Sequence, residues 1–297
     1  MCDEFTEADI AARQARAAHP LDRRAFGLGG ASAALLAALP ACATGAGPDA
    51  DADRHMRTVL IPTPDGKADA WFIAPAEGTH PAVILWPDIA GMREAYRETG
   101  LRLARAGYAV LVVNPYYRSA PAPVLASFAE WRTEAGQARL KPMIAALSPA
   151  GTVRDAAAFI DWLDRQPAVD ARRRIGTLGY CMGGPFAFRT ALARPERVGA
   201  VASFHGAGLV TDAADSPHRL IPRLRADLLI AIARNDDTRQ PEAKTLLRAA
   251  ANAAHRPAEI EVYPAQHGWC TTDSPAYDPA QAEKAWDRLL ATFRHAL

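Results

Sequence analysis

Three residue types in one order raise the question of covalent chemistry: a cysteine at 181, an aspartate pair at 236–237 and a histidine at 267. Cys181 lies in Gly179-Tyr180-Cys181-Met182-Gly183-Gly184. Gly-x-Cys-x-Gly is the nucleophile-elbow pattern with cysteine where serine is usual. It follows an apolar run starting at Ile175 and precedes a helix-compatible run, Phe186 to Ala193. A turn that tight leaves no room for a Cβ at its flanks, which is why glycine stands there. The new helix points its free N–H groups and positive dipole end at the central side chain. A thiol held there ionises more readily than a free cysteine. The competing reading is a small buried hydrophobe with glycines that only pack helix on strand. The rest of the chain decides between them.

The order Cys, Asp, His is that of α/β-hydrolases, not of chymotrypsin-like or papain-like enzymes. His267 is expected to take the thiol proton and return it to the leaving group. An aspartate is expected to hold its second nitrogen. Asp236 is preferred over Asp237, one of which caps a helix beginning near Pro241. A tetrahedral intermediate needs donors; the backbone N–H of Met182 is one, and that of Ile89, after an earlier strand, is the other. His205 comes one strand too early for the base and reads as structural or substrate-lining.

These residues need a sheet to bring them together. Thr58–Ile61 and Ala70–Ile73 read as strands around the turn Pro64-Asp65-Gly66-Lys67, hence a hairpin. Ala82–Trp86 and Tyr108–Val113 are continuous apolar runs, suited to strands covered on both faces. A helix is expected from Glu94 to Ala106, stopped by Gly107. From Ser119 to Ala150, prolines 121, 123, 142 and 149 predict short helices and turns that could roof a site. Thr152–Arg165 reads as a helix, then the elbow strand. Val198–Phe204, Asp227–Ala233 and Glu259–Tyr263 read as strands, with helices Glu242–Ala254 and Ala280–Ala296. Alternating strands and helices predict an α/β fold with a mostly parallel sheet. Reactive groups then gather at the carboxyl ends of the strands.

Composition adds bounds. The chain is 49% hydrophobic and 23% charged, with a net charge of +1, which argues against nucleic-acid binding. There is no C-x-x-C or H-E-x-x-H pattern, so no metal or cofactor is expected. Residues 1–54 read as an export leader and linker, and 55–297 as the catalytic domain. Asp22-Arg23-Arg24-Ala25-Phe26-Gly27-Leu28 resembles a twin-arginine motif, followed by a weak apolar run. Export, periplasmic or secreted, is therefore expected. Leu39-Pro40-Ala41-Cys42 loosely resembles a lipoprotein box, which makes Cys42 the one candidate membrane anchor. Inside the domain lie only Cys181 and Cys270, read as free thiols near one another.

With those residues in view, the chain from Thr58 to Leu297 resembles the dienelactone hydrolase family. The match rests on Gly179-Tyr180-Cys181-Met182-Gly183-Gly184, Asp236 and Tyr263-Pro264-Ala265-Gln266-His267-Gly268. It extends to Pro87-Asp88-Ile89-Ala90-Gly91 and Asn114-Pro115-Tyr116-Tyr117-Arg118. The resemblance implies an α/β-hydrolase fold, no cofactor, and a triad of Cys181, Asp236 and His267 that cleaves a small ester or lactone through a thioester. It implies a thiol-contacting carboxylate at Asp88, where the family's best-known members carry glutamate. It makes Arg118 a candidate for a substrate carboxylate, with Tyr117, His205 and Trp269 as further substrate contacts. The expected partner is a small molecule alone, and the expected state a monomer. An export leader departs from cytoplasmic dienelactone breakdown, so the family name does not name the substrate. The alternatives are an esterase or peptidase for another acyl group, or a binding protein on the same fold.

Overall fold

The computed structural model describes residues 56–297. The leader, with Arg23, Arg24 and Cys42, lies outside the described residues. Eight strands form one sheet in the order β1-β2-β4-β3-β5-β6-β7-β8. β1 (Met56–Thr63) and β2 (Gly66–Ile73) pair antiparallel as a hairpin. β2 runs antiparallel to β4 (Ala109–Val113). From β4 onward every pairing is parallel: β3 (Ala82–Trp86), β5 (Ile175–Tyr180), β6 (Val198–Phe204), β7 (Asp227–Ala233) and β8 (Ala258–Tyr263).

β3 and β4 are buried at every position, as continuous apolar runs between two helical layers must be. Successive side chains leave the sheet on opposite faces. Ile84 and Trp86 join one core and Val83 and Leu85 the other. The first core packs against α4 (Pro149–Leu163), α5 (Gly183–Ala193) and α8 (Ala243–Ala253). The second packs against α1 (Glu94–Arg105) and α9 (Pro279–Ala296). Fully buried rings such as Phe159, Phe188 and Phe293 each contribute about 1.5–3 kcal/mol by leaving water.

The stretch between β4 and α4 holds α2 (Phe128–Trp131) and α3 (Glu134–Ala145). The sequence reading put a break at Pro142, but Pro142 lies inside α3. A proline there forfeits one backbone bond. Capping of Gly136 N–H by Thr133 Oγ1 and burial of Leu140 hold the helix regardless. A third core, of Tyr116, Val124, Leu125, Trp131, Leu140 and Ala90, packs this roof against Ile89 and Met182. Two short helices were not anticipated: α6 (Pro217–Leu220) and α7 (Arg234–Arg239), the latter directly after β7. Among the described residues no helix is long and apolar enough to cross a membrane.

Candidate active site

The elbow is built from close approach. A Cβ on Gly179 would lie 1.9 Å from the Gly183 carbonyl oxygen, and one on Gly183 2.5 Å from that of Trp86. One on Gly184 would meet Ser203 Oγ at 2.6 Å and Gly206 Cα at 2.7 Å. No side chain fits at these places, so glycine is required for β5, β3, β6 and α5 to converge. Between them Cys181 takes φ +50°, left-handed for a residue with a Cβ. Backbone bonds hold it there: its N–H donates to Phe204 O at 3.1 Å, and its carbonyl accepts from Gly184 and Ala207, each at 3.0 Å. Strain sustained by so many constraints is a mark of functional sites.

The parallel register carries the other groups to the same edge. Tyr180 pairs with Phe204, Phe204 with Ala231, and Ala233 with Tyr263. The residues just beyond, Cys181, His205, Arg234–Asp237 and His267, therefore share the carboxyl edge of the sheet. α7 starts at once after β7, which turns Asp236 towards β8: Asp236 Oδ2 lies 2.6 Å from His267 Nδ1. Arg239 donates to the other carboxylate oxygen at 2.7 Å, and Asn235 Oδ1 accepts the His267 N–H at 2.9 Å. Asp237 bonds Lys244 Nζ at 2.7 Å. Gly268, at φ +95°, lets the chain turn directly after the histidine. Among the described residues neither Cys181 nor Cys270 is in a disulfide, and burial pushes the Cys270 thiol well up.

His205 lies beneath this edge, with 1% exposure and φ +41°. Its ring centroid is 4.8 Å from that of His267, 5.1 Å from Trp269 and 5.9 Å from Tyr180. Trp269 is fully buried and stacked on Tyr263 at 5.2 Å, so it supports the His267 loop from the core. Neither residue presents surface to a substrate here, because both fill the layer under His267. Burial first, and then the neighbouring His267, drive the His205 pKa well below its usual value. The unfolded chain protonates such a group near pH ~6.5. As pH falls below that value, the unfolded state gains a proton the folded state refuses. Stability is thus lost until the depressed folded pKa is reached. Urea midpoints at pH 7 and pH 5 should reveal a slope of up to about 1.4 kcal/mol per pH unit from this residue. His205→Phe should flatten it; an unchanged slope in that variant would assign the acid loss elsewhere.

The Asp88 carboxylate is taken by Arg93, a partner the sequence did not announce. Arg93 Nη1 donates to Asp88 Oδ1 at 2.7 Å and Nη2 to Oδ2 at 2.9 Å. The same guanidinium reaches Asp273 at 2.8 and 2.7 Å, and Asp273 Oδ2 accepts the Phe128 N–H of the roof at 2.7 Å. Both Arg93 and Asp88 are buried. Burial works against the Arg93 charge, but Asp88 and Asp273 more than offset it, and the guanidinium pKa rises. Asp273, which burial alone would raise, is held low by Arg93. Tyr116 donates from its hydroxyl to Ile89 O at 2.7 Å and touches Met182 Sδ at 3.6 Å.

Arg118 and Tyr117 are placed in a different network. The Arg118 guanidinium binds both oxygens of Asp155 at 2.8 Å and Asp65 Oδ2 at 2.6 Å. Tyr117 hydroxyl bonds Asp155 and Thr63, each at 2.7 Å. Together they fasten the β1–β2 turn to α4. Arg118 is thus paired with two carboxylates, Asp155 and Asp65, and shares the second with Arg154.

Residues 68–297 match the model of the dienelactone hydrolase family. The chain belongs to that family. It is a carboxylic-ester or lactone hydrolase of the dienelactone hydrolase type. It is 28% identical over 239 residues to a Salmonella typhi protein named "Putative carboxymethylenebutenolidase", covering 78% of this chain and 84% of the relative. An Escherichia coli K12 protein of the same name is 28% identical over 240 residues, with coverage of 79% and 84%. The crystal structure titled "Putative Dienelactone Hydrolase" from Klebsiella pneumoniae superposes with a TM-score of 0.69 at 24% identity, over 80% of this chain and 98% of that one. That last likeness speaks to the fold alone.

Within this dienelactone hydrolase frame, sequence reasoning missed Arg93, Asp273 and Tyr116. Tyr116 had a local signal: Asn114 Oδ1 accepts the Tyr116 N–H at 2.9 Å, an Asx turn that the Asn-Pro pair foreshadows. Asp273 and Arg93 had none, because they are 180 positions apart.

Proposed function

We propose that the enzyme cleaves a small carboxylic ester or lactone by covalent catalysis through Cys181. The hydrogen bond of 2.6 Å between Asp236 and His267 Nδ1 carries this reading. It orients the ring so that Nε2 is the nitrogen left for proton transfer. His267 Nε2 takes the Cys181 proton as sulfur bonds to the carbonyl carbon, and the carbonyl π electrons move to oxygen. The N–H groups of Met182 and Ile89 are the proposed donors to that oxyanion. Collapse breaks the C–O bond, and the departing alkoxide takes the proton from His267. In a lactone this alcohol stays on the acyl chain. Water then gives a proton to His267 and its oxygen to the carbonyl carbon. Collapse of the second intermediate expels the thiolate and yields the acid.

A quenched reaction with a short chromogenic ester tests this directly. Mass spectrometry should find the acyl mass on the peptide containing Cys181, and hydroxylamine should remove it, as thioesters require. Turnover with the acyl group on another residue, or with the thiol fully blocked by iodoacetamide, would reject the mechanism.

A further inference from the structure

The peptide joining Ile89 to Ala90 is gripped from both sides. Its carbonyl accepts the Tyr116 hydroxyl at 2.7 Å, and its N–H donates to Asp88 Oδ1 at 2.9 Å. The Gly91 N–H closes the same turn on Asp88 O at 3.0 Å, and Arg93 Nη1 donates to Gly91 O at 3.1 Å. The Asp88 backbone N–H in turn donates to the Tyr96 hydroxyl at 3.0 Å. Arg93 is the one member that holds both the Asp88 carboxylate and the far end of the turn. Its planar fork does so with two parallel bonds to Asp88, while its remaining edge is saturated by Asp273. A carboxylate locked that way cannot rotate, and neither can the turn it caps.

From this geometry we infer that Arg93 is a positioning residue for the oxyanion-binding loop. Asp88 is held at its carboxylate by Arg93 and at its N–H by Tyr96, and the peptide after Ile89 is held by Asp88 and Tyr116. The intervening Asp88–Ile89 peptide, which carries the Ile89 N–H, is thereby fixed between them. The inference rests on the mechanism proposed above. It also gives Asp88 a different task from contact with the thiol: the carboxylate is a fixed strut of the loop. An oxyanion donor matters only when negative charge builds on oxygen, so its misplacement lowers kcat far more than it raises KM.

Lysine at 93 keeps the charge but not the fork. Arg93→Lys should lower kcat for a chromogenic ester by about 10–100-fold, short of the 10²–10³ that deletion of an oxyanion donor costs, with KM changed less than about twofold. The discriminating readout is alkylation of Cys181 by iodoacetamide across pH. Displacement of iodide by the thiolate forms no oxyanion, so its rate and pH profile should match wild type. A merely structural lesion would shift the alkylation rate or its pH profile in either direction, because Cys181 is buried, and that result would overturn the inference. Asp273→Asn loosens the other edge of the guanidinium but keeps its two bonds to Asp88, so its kcat loss should be smaller than that of Arg93→Lys; a loss as large or larger would place the effect in the roof and also overturn it. If Arg93→Lys does not fold, Tyr116→Phe removes the grip on the other side of the same peptide, together with the hydroxyl's contact to Met182 Sδ. It should lower kcat with alkylation unchanged, and a wild-type kcat there would count against the loop clamp. Failure of the underlying mechanism looks different: wild-type enzyme would then keep its turnover after complete alkylation.

Discussion

Cys181→Ala is expected to lower kcat by about 10⁴–10⁶-fold, the range seen when a triad nucleophile is removed while binding remains. The fold should survive. Cys181 sits at φ +50°, a strain that alanine inherits unchanged, and the backbone bonds to Phe204, Gly184 and Ala207 use no side-chain atom. Loss of one small buried sulfur costs roughly the burial of a methylene-sized group, about 1 kcal/mol. A thermal midpoint within a few degrees of wild type, measured beside kcat, separates lost chemistry from lost structure. A kcat within tenfold of wild type would remove Cys181 from the mechanism. Cys181→Ser should also be poor, because a histidine tuned to a thiol faces a hydroxyl that ionises far less readily.

The second large effect separates two adjacent aspartates. Asp236→Asn should reduce kcat by about 10⁴-fold, as the matching change does in other triads, because an amide at that place stabilises the wrong tautomer and no cation. Asp237→Asn breaks a partly exposed pair with Lys244 and should leave kcat within about twofold. Parallel measurement of kcat for both variants decides. Equal losses, or a larger loss at 237, would show that α7 reorients in the working enzyme.

Most of the scaffold was legible because each central strand is an apolar run bounded by a turn residue. β3, β6 and β7 fall on the expected residues. The elbow was legible because glycine spacing encodes a steric demand that nothing else satisfies. The choice between Asp236 and Asp237 was less so: no helix is expected between the end of β7 and Pro241, and only the helical turn of α7 explains which carboxylate meets His267. Strand alternation gives no guidance past Val113, where β4 ends, so nothing local shows that Tyr116 turns to Ile89 and Tyr117 to Asp155. Arg93 stands just ahead of α1 and carries no motif of its own. Its burial depends on Asp273, and no local pattern reports a partner so distant in sequence. The reading of Trp269 as a substrate contact failed to weigh its ring area, which the core beside Tyr263 absorbs completely.

β8 is the outermost strand on its side of the sheet, and most of its residues are only half covered. Strands so placed open first when a fold breathes, at a free energy below that of global unfolding. His267 lies four residues beyond the end of β8, whereas Cys181 is anchored in the middle of the sheet between β5 and β6. Fraying at this margin therefore parts the base from the thiol while the elbow stays intact. On gentle heating the enzyme should fall silent before it melts, and cooling should restore it.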